Sequence, residues 1–195
     1  MNSLIQITRK TKETDIDLTF SFDNNSEVAI STSVPFLDHM LTAMAFHGNF
    51  SLKIRATGDT EVDYHHLVED VGLVLGDAFS QWQKDVTRIQ RYGDARIPMD
   101  EALSTVVIDV CNRPTLVYKA DYPQAVVGTF DMALFREFFL AFVQRSAIAL
   151  HLNCVYGENS HHMIEALFKA FGKALKKAYA PLTGDESQMS TKGSL

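Results

Sequence analysis

The sequence predicts an α/β fold of the α+β kind, an internally duplicated two-layer sandwich in which each of two similar halves is a sheet carrying two helices. Three observations predict it. The stretch His65-His66-Leu67-Val68-Glu69 returns 96 positions later as His161-His162-Met163-Ile164-Glu165. Around both copies the apolar spacing gives the same order of elements: strands, helix, strand, helix. Several strands also follow one another without an intervening helix, which favours helices on one face of a sheet over a doubly wound sheet.

In the first half, Ile16, Leu18, Phe20 and Phe22 alternate with polar residues and predict a strand with one buried face. Apolar residues at helical spacing over 36–46 predict a helix, followed by a strand over 50–56 and a helix over 65–82. The second half reads as strands over 103–110 and 115–120, a helix over 132–147, a strand over 150–155 and a helix over 161–179. Gly76 and Ala78 recur as Gly172 and Ala174, so the match extends along the helices. Asp63 and Ser160 precede the histidine pairs and suit N-caps, placing each pair in the first turn of its helix. The halves are read as residues 1–88 and 89–180, with the boundary near Val86 to Arg91, and 181–195 as a C-terminal tail. From Gly184 onward that tail is polar, a composition expected of a mobile segment.

Composition narrows the function classes. The 195 residues, 46% hydrophobic and 22% charged, suit a folded globular chain. A formal charge of −6 provides no global positive field to gather nucleic acid or an anionic membrane. The apolar run Phe138 to Val143 falls far short of the about 20 residues a membrane span needs. Met1 to Lys10 lacks the basic start and apolar block of a secretory signal, so a cytoplasmic protein is expected. Cys111 and Cys154 have no CxxC spacing and are read as reduced, buried thiols.

The repeated HHxxE carries the chemistry. Residues three and four apart share a helix face, so Glu69 neighbours both His65 and His66, while adjacent histidines point about 100° apart. One such turn offers ligands in two directions, which suits two metal ions. Superposing Leu52-Lys53-Ile54 on Leu150-His151-Leu152 places His39 on Glu137 and preserves the surrounding apolar pattern. Each half then supplies HHxxE plus one further donor: His39, His65, His66, Glu69, Glu137, His161, His162 and Glu165. Imidazole and carboxylate without thiolate suits Mn, Fe or Zn. Helix capping or a satisfied core histidine is the alternative for any single histidine, and it is the reading taken for His151. His47 stays undecided on spacing. Glu13 and Asp100-Glu101 stand at strand starts, either as acids near the cluster or as solvated ends. Arg91, Arg113, Lys169, Ser190 and Lys192 are candidate phosphate ligands.

Several long motifs occur in order: Phe36-Leu37-Asp38-His39-Met40-Leu41, His47-Gly48, Asp63-Tyr64-His65-His66-Leu67-Val68-Glu69-Asp70, and Asn159-Ser160-His161-His162 with Glu165. Phe168-Lys169-Ala170-Phe171 and Ser190-Thr191-Lys192-Gly193 complete them. Over essentially its whole length the chain resembles the imidazoleglycerol-phosphate dehydratases of histidine biosynthesis. The resemblance implies a ribosomal protein S5 domain 2-like fold, a homo-oligomer of 24 subunits with active sites at subunit interfaces, and two Mn(II) ions per site. One ion would take His39, His66, Glu69 and His161; the other would take His65, Glu137, His162 and Glu165. Glu137 departs from the histidine that many members carry before the Phe-Phe pair.

The implied reaction converts D-erythro-imidazole glycerol phosphate to imidazole acetol phosphate with loss of water. An ordinary carbinol C–H is hardly acidic, so a metal-bound imidazolate that expels the hydroxyl, through a diazafulvene-type intermediate, would overcome the difficulty. Glu13 is read as a carboxylate that moves a proton or positions the hydroxyl, with metal-bound water as the competing base, and His47 is the second catalytic candidate. The substrate-binding set adds His39, His65, Glu69 and His161, with Arg91, Arg113, Lys169 and the tail's Ser190 and Lys192 at the phosphate. The length predicts a stand-alone dehydratase with no fused phosphatase. A dinuclear metallohydrolase, releasing phosphate, and a metal-storage assembly, binding metal without turnover, are the competing readings.

Overall fold

In the first half, burial of Ile16, Leu18 and Phe20 with outward polar neighbours builds β2 (Thr14–Ser21), as the alternation predicts. This computed structural model describes residues 4–22, 27–86 and 88–182. Around β2 stand β1 (Ile5–Lys10), β3 (Val28–Ser31) and β4 (Ser51–Gly58), in the order β1-β2-β4-β3. β3 and β4 are parallel, so their connection must cross over, and α1 (Pro35–Gly48) is that crossover. α2 (His65–Asp85) follows β4.

The second half repeats the plan. β5 (Tyr92–Met99), β6 (Ala102–Val110), β7 (Thr115–Lys119) and β10 (Ile148–Tyr156) form a sheet ordered β5-β6-β10-β7. α3 (Leu134–Ser146) crosses between the parallel β7 and β10, and α4 (Ser160–Ala178) closes the half. A small hairpin, β8 (Val126–Val127) and β9 (Phe130–Asp131), is added before α3. Register makes the duplication residue-specific. Leu18 faces Ile54 in the first sheet, and Val106 faces Leu152 in the second. The pairs Lys10–Asp15 and Pro98–Leu103 are equivalent at an offset of 88, which sets Glu13 and Glu101 at the same register, although the second hairpin pairs one step further, to Met99–Ala102.

The helices of one half pack on those of the other, α1 on α4 and α2 on α3, between the two sheets. Glycine sets the approach. A Cβ at Gly172 would lie 2.1 Å from the Met44 carbonyl oxygen, and one at Gly76 would lie 2.5 Å from that of Phe142. Met44 and Phe142 are themselves equivalent in the repeat, so the two helix crossings are related by the duplication. Phenylalanines fill the space between: Phe79 and Phe142 meet at 5.5 Å across the halves, and Phe20, Phe138, Phe168 and Phe171 are fully buried. Such close packing makes helix positions sensitive to added volume.

Helices and central strands match the sequence reading to within a few residues, whereas β1, β3, β5 and the small hairpin were not legible. Capping is corrected. The side chain that accepts the first histidine's backbone N–H is Asp63 for His65 (2.7 Å) and Asn159 for His161 (2.9 Å), not Ser160. Asx side chains readily accept a bond from two residues on. Ser160 is already inside the helix, where its buried hydroxyl accepts the Gln124 N–H. Both cysteines are free; Cys111 is buried and Cys154 half-buried. His151 is exposed on the outer face of β10. Among the described residues no helix is long and apolar enough to cross a membrane.

Candidate active site

Helical spacing puts His161 and Glu165 on one face of α4, and the α1–α4 crossing brings His39 to them. One ligand atom from each lies within 4.8 Å of the others. Glu165 Oε2 is 3.2 Å from His39 Nε2 and 3.1 Å from His161 Nε2, while Lys169 Nζ donates to Oε1 at 2.8 Å. Burial opposes ionisation of Glu165, yet the Lys169 ammonium and His39 hold its carboxyl below the usual range. Phe36 packs edge-on against the His161 ring, with centroids 5.2 Å apart.

The positions equivalent by the sequence offset lie on α2 and α3. His65 Nε2 lies 3.6 Å from Glu69 Oε2, the spacing of His161 and Glu165 repeated. Glu137, in the first turn of α3, takes His39's place and carries Arg136 at 3.3 Å. Asp70, almost fully buried, accepts from the Thr14 hydroxyl and pairs with Arg9 at 3.0 Å, fastening the start of α2 to the first hairpin. A run of contacting aromatic rings leads from Tyr64, next to His65, through Phe130 and Phe36 to His161.

His66 and His162 turn away from these clusters and toward other carboxylates. His66 Nδ1–H donates to Asp59 at 3.0 Å, and His162 Nδ1–H donates to Glu101 at 2.7 Å. Those bonds raise the pKa of both imidazoles above the ordinary 6.5. The His162 bond, with backbone N–H donors, lowers Glu101 to about 2. Spacing had suggested Glu101 as an acid near the metal groups. Asp59 was missed, because only the fold of the β4–α2 connection brings it to His66.

The remaining candidates are divided. Glu13 is exposed in the first hairpin, and its charge favours protonated His66. His47, in the last turn of α1, is held below its ordinary pKa by burial and by Lys169 and Lys173. Arg91 makes two bonds to Asp109, at 2.7 and 3.3 Å, and Arg113 approaches the same carboxylate at 4.0 Å. The Arg91 N–H meets the Ala178 carbonyl, at the far end of α4 from His161, about 26 Å away at 1.5 Å per residue. One chain therefore does not bring Arg91 and Arg113 to the His39 cluster. Ser190 and Lys192 lie outside the described residues. Within one chain Glu165 sits with His39 and His161, whereas the resemblance groups Glu165 with His162.

Converging nitrogen and oxygen donors without thiolate fit a divalent first-row ion such as Mn(II). Residues 32–175 match the family model described as imidazoleglycerol-phosphate dehydratase. Proteins of that name from Pelobacter propionicus and Trichlorobacter lovleyi are 50% and 51% identical over 195 residues, covering all of both chains. A crystal structure of the Staphylococcus aureus imidazoleglycerol-phosphate dehydratase superposes with a TM-score of 0.84 at 40% identity, covering 92% of this chain and 100% of that one. That from Pyrococcus furiosus gives 0.84 at 36% identity, over 97% and 100%. The chain belongs to the imidazoleglycerol-phosphate dehydratase family, the carbon–oxygen hydro-lyases of histidine biosynthesis.

Proposed function

We propose that this chain removes water from D-erythro-imidazole glycerol phosphate to give imidazole acetol phosphate, at a site holding two Mn(II) ions and completed between copies of the chain. The observation that carries it is the convergence of His39, His161 and Glu165; by the sequence offset their counterparts are Glu137, His65 and Glu69, of which His65 and Glu69 lie 3.6 Å apart. We read the first group as holding one ion and the second as holding the other. His66 and His162 would complete these sets from neighbouring copies. When bound, the ions supply Lewis acidity to the imidazole ring of the substrate.

This chain's own residues then have separate tasks. Glu13 moves the proton at the reacting carbon, being a free carboxylate beside His66. His47, kept neutral at physiological pH by burial and two lysines, offers a hydrogen bond to the substrate without adding charge. Arg91 and Arg113 recognise the phosphate with planar guanidinium groups, and Lys169 adds a cation beside Glu165. The distance of Arg91 and Arg113 from His161 within one chain supports a site shared between copies, as in the 24-subunit assembly that the resemblance implies, and we read the protein as cytoplasmic. We read 1–88 and 89–180 as the two halves of the repeat, and 181–195 as a tail bringing Ser190 and Lys192 to the phosphate.

Replacing Glu13 by Gln tests the proton assignment: turnover should fall by about 10²–10⁴-fold while metal content is unchanged. Full turnover would reject the role. Release of inorganic phosphate from the substrate would instead favour a metallohydrolase.

A further inference from the structure

We infer that Asp59 and Glu101 are paired positioning residues that fix the tautomer of His66 and His162, presenting each Nε2 as a ligand atom. The inference rests on the metal reading above and extends it to groups outside the ligand set.

An ionised carboxylate can only accept a hydrogen bond, so an imidazole nitrogen bound to it must carry the proton. At His66 and His162 that nitrogen is Nδ1, bonded at 3.0 and 2.7 Å. The lone pair of each neutral ring is then on Nε2. Asp100, the carboxylate nearest His162 Nε2, is 3.7 Å away, beyond hydrogen-bonding distance. A histidine whose other nitrogen is held in this way is oriented and made more basic toward a metal.

The two halves reach the same arrangement by different residues. Glu101 stands in the second hairpin where Glu13 stands in the first, by the sheet registers. In the second half Glu101 takes His162 and also accepts the backbone N–H groups of Glu158 and Asn159, at 3.2 and 2.9 Å. In the first half the connection from strand to helix is two residues longer, since the repeat offset shortens from 98 at the strands to 96 at the histidines. That connection supplies Asp59, which has no counterpart in the second half. Asp59 holds His66, and the carboxylate of Glu13, whose backbone bonds Thr11 and Asp59, has no hydrogen-bond or ion-pair partner among the described residues. Duplication has thus left one hairpin carboxylate to clamp a histidine and released the other for chemistry.

Asp59→Asn and Glu101→Gln distinguish this from a general effect on folding. The neutral amide, able to donate or to accept, no longer obliges Nδ1 to carry the proton and is a weaker acceptor, so the hold on the tautomer is lost while size is preserved. Mn(II) affinity, read from the electron paramagnetic resonance of free ion during titration, should fall about 10- to 100-fold in each variant. Thermal unfolding of the metal-free proteins shows whether the fold is retained. Adding Glu101→Gln to His162→Ala, or Asp59→Asn to His66→Ala, should cause little further loss, because each carboxylate acts through its histidine. The side chain of Asp59 bonds only His66 among the described residues, so Asp59→Asn carries the test if the backbone ties of Glu101 complicate its variant. Wild-type affinity in folded Asp59→Asn and Glu101→Gln proteins overturns the inference alone. Failure of the wild-type protein to bind Mn(II) overturns it together with the metal reading.

Discussion

His47 shows how a single side chain reports the electrostatics of the site. Its pKa is lowered by burial and by the charges of Lys169 and Lys173. The unfolded chain therefore takes up this proton near the ordinary 6.5, and the folded chain only at lower pH. Unfolding binds the proton, so stability should fall as pH drops below 6.5. In metal-free protein, His47→Gln should flatten that part of the urea-midpoint profile against pH; an unchanged slope would place the titration elsewhere. Glu137 offers a second residue-scale prediction. Glu137→Gln removes a charged donor from the α2–α3 cluster, and one ion of the two should be lost preferentially when metal content is measured. Equal retention of both ions would remove Glu137 from the ligand set. The eight candidate donors stand out in the sequence because duplication compares each with a second copy, and the structure brings three of them together. Their grouping was not, because Glu165 joins His39 only through a helix crossing that spacing does not encode.

At the scale of elements, the position of the site depends on helices from opposite halves. α1 carries His39 and α4 carries His161 and Glu165, so the crossing at Gly172 sets their separation. Gly172→Ala would place a methyl carbon 2.1 Å from the Met44 carbonyl oxygen, a backbone atom with little freedom to yield. Denaturant unfolding should show a loss of about 1–3 kcal/mol. Mn(II) affinity should fall as well if the helices separate to relieve the contact. Native stability would show that the crossing is looser than the structure indicates. The recurrence of glycine at 76 and 172 was visible in the sequence, but its reason was not, since the carbonyl it faces belongs to the other half. Long, strongly periodic helices were legible for a local reason, their own spacing. β1, β3 and β5 are short or irregular in pattern and take their places from pairing with neighbours. The caps show the same limit: Asp63 and Asn159 are equivalent at the helix offset, and Ser160 misled because its hydroxyl is used by Gln124.

At the scale of the whole molecule, a shared site makes a prediction that a self-contained one does not. Arg91 and His161 stand at opposite ends of α4. Arg91→Ala and His161→Ala should each be inactive alone. Co-assembled, they should recover measurable turnover wherever one copy supplies an intact Arg91 and another an intact His161. No recovery in verified mixed assemblies would confine each site to one chain.

Metal-dependent dehydration by this chain is measured most directly by following turnover of imidazole glycerol phosphate by metal-stripped protein before and after Mn(II) is added. Imidazole acetol phosphate and free phosphate are recorded together. Product formation restored by Mn(II), without phosphate release, is the predicted result. Metal binding with no product, or release of phosphate in its place, would contradict the account.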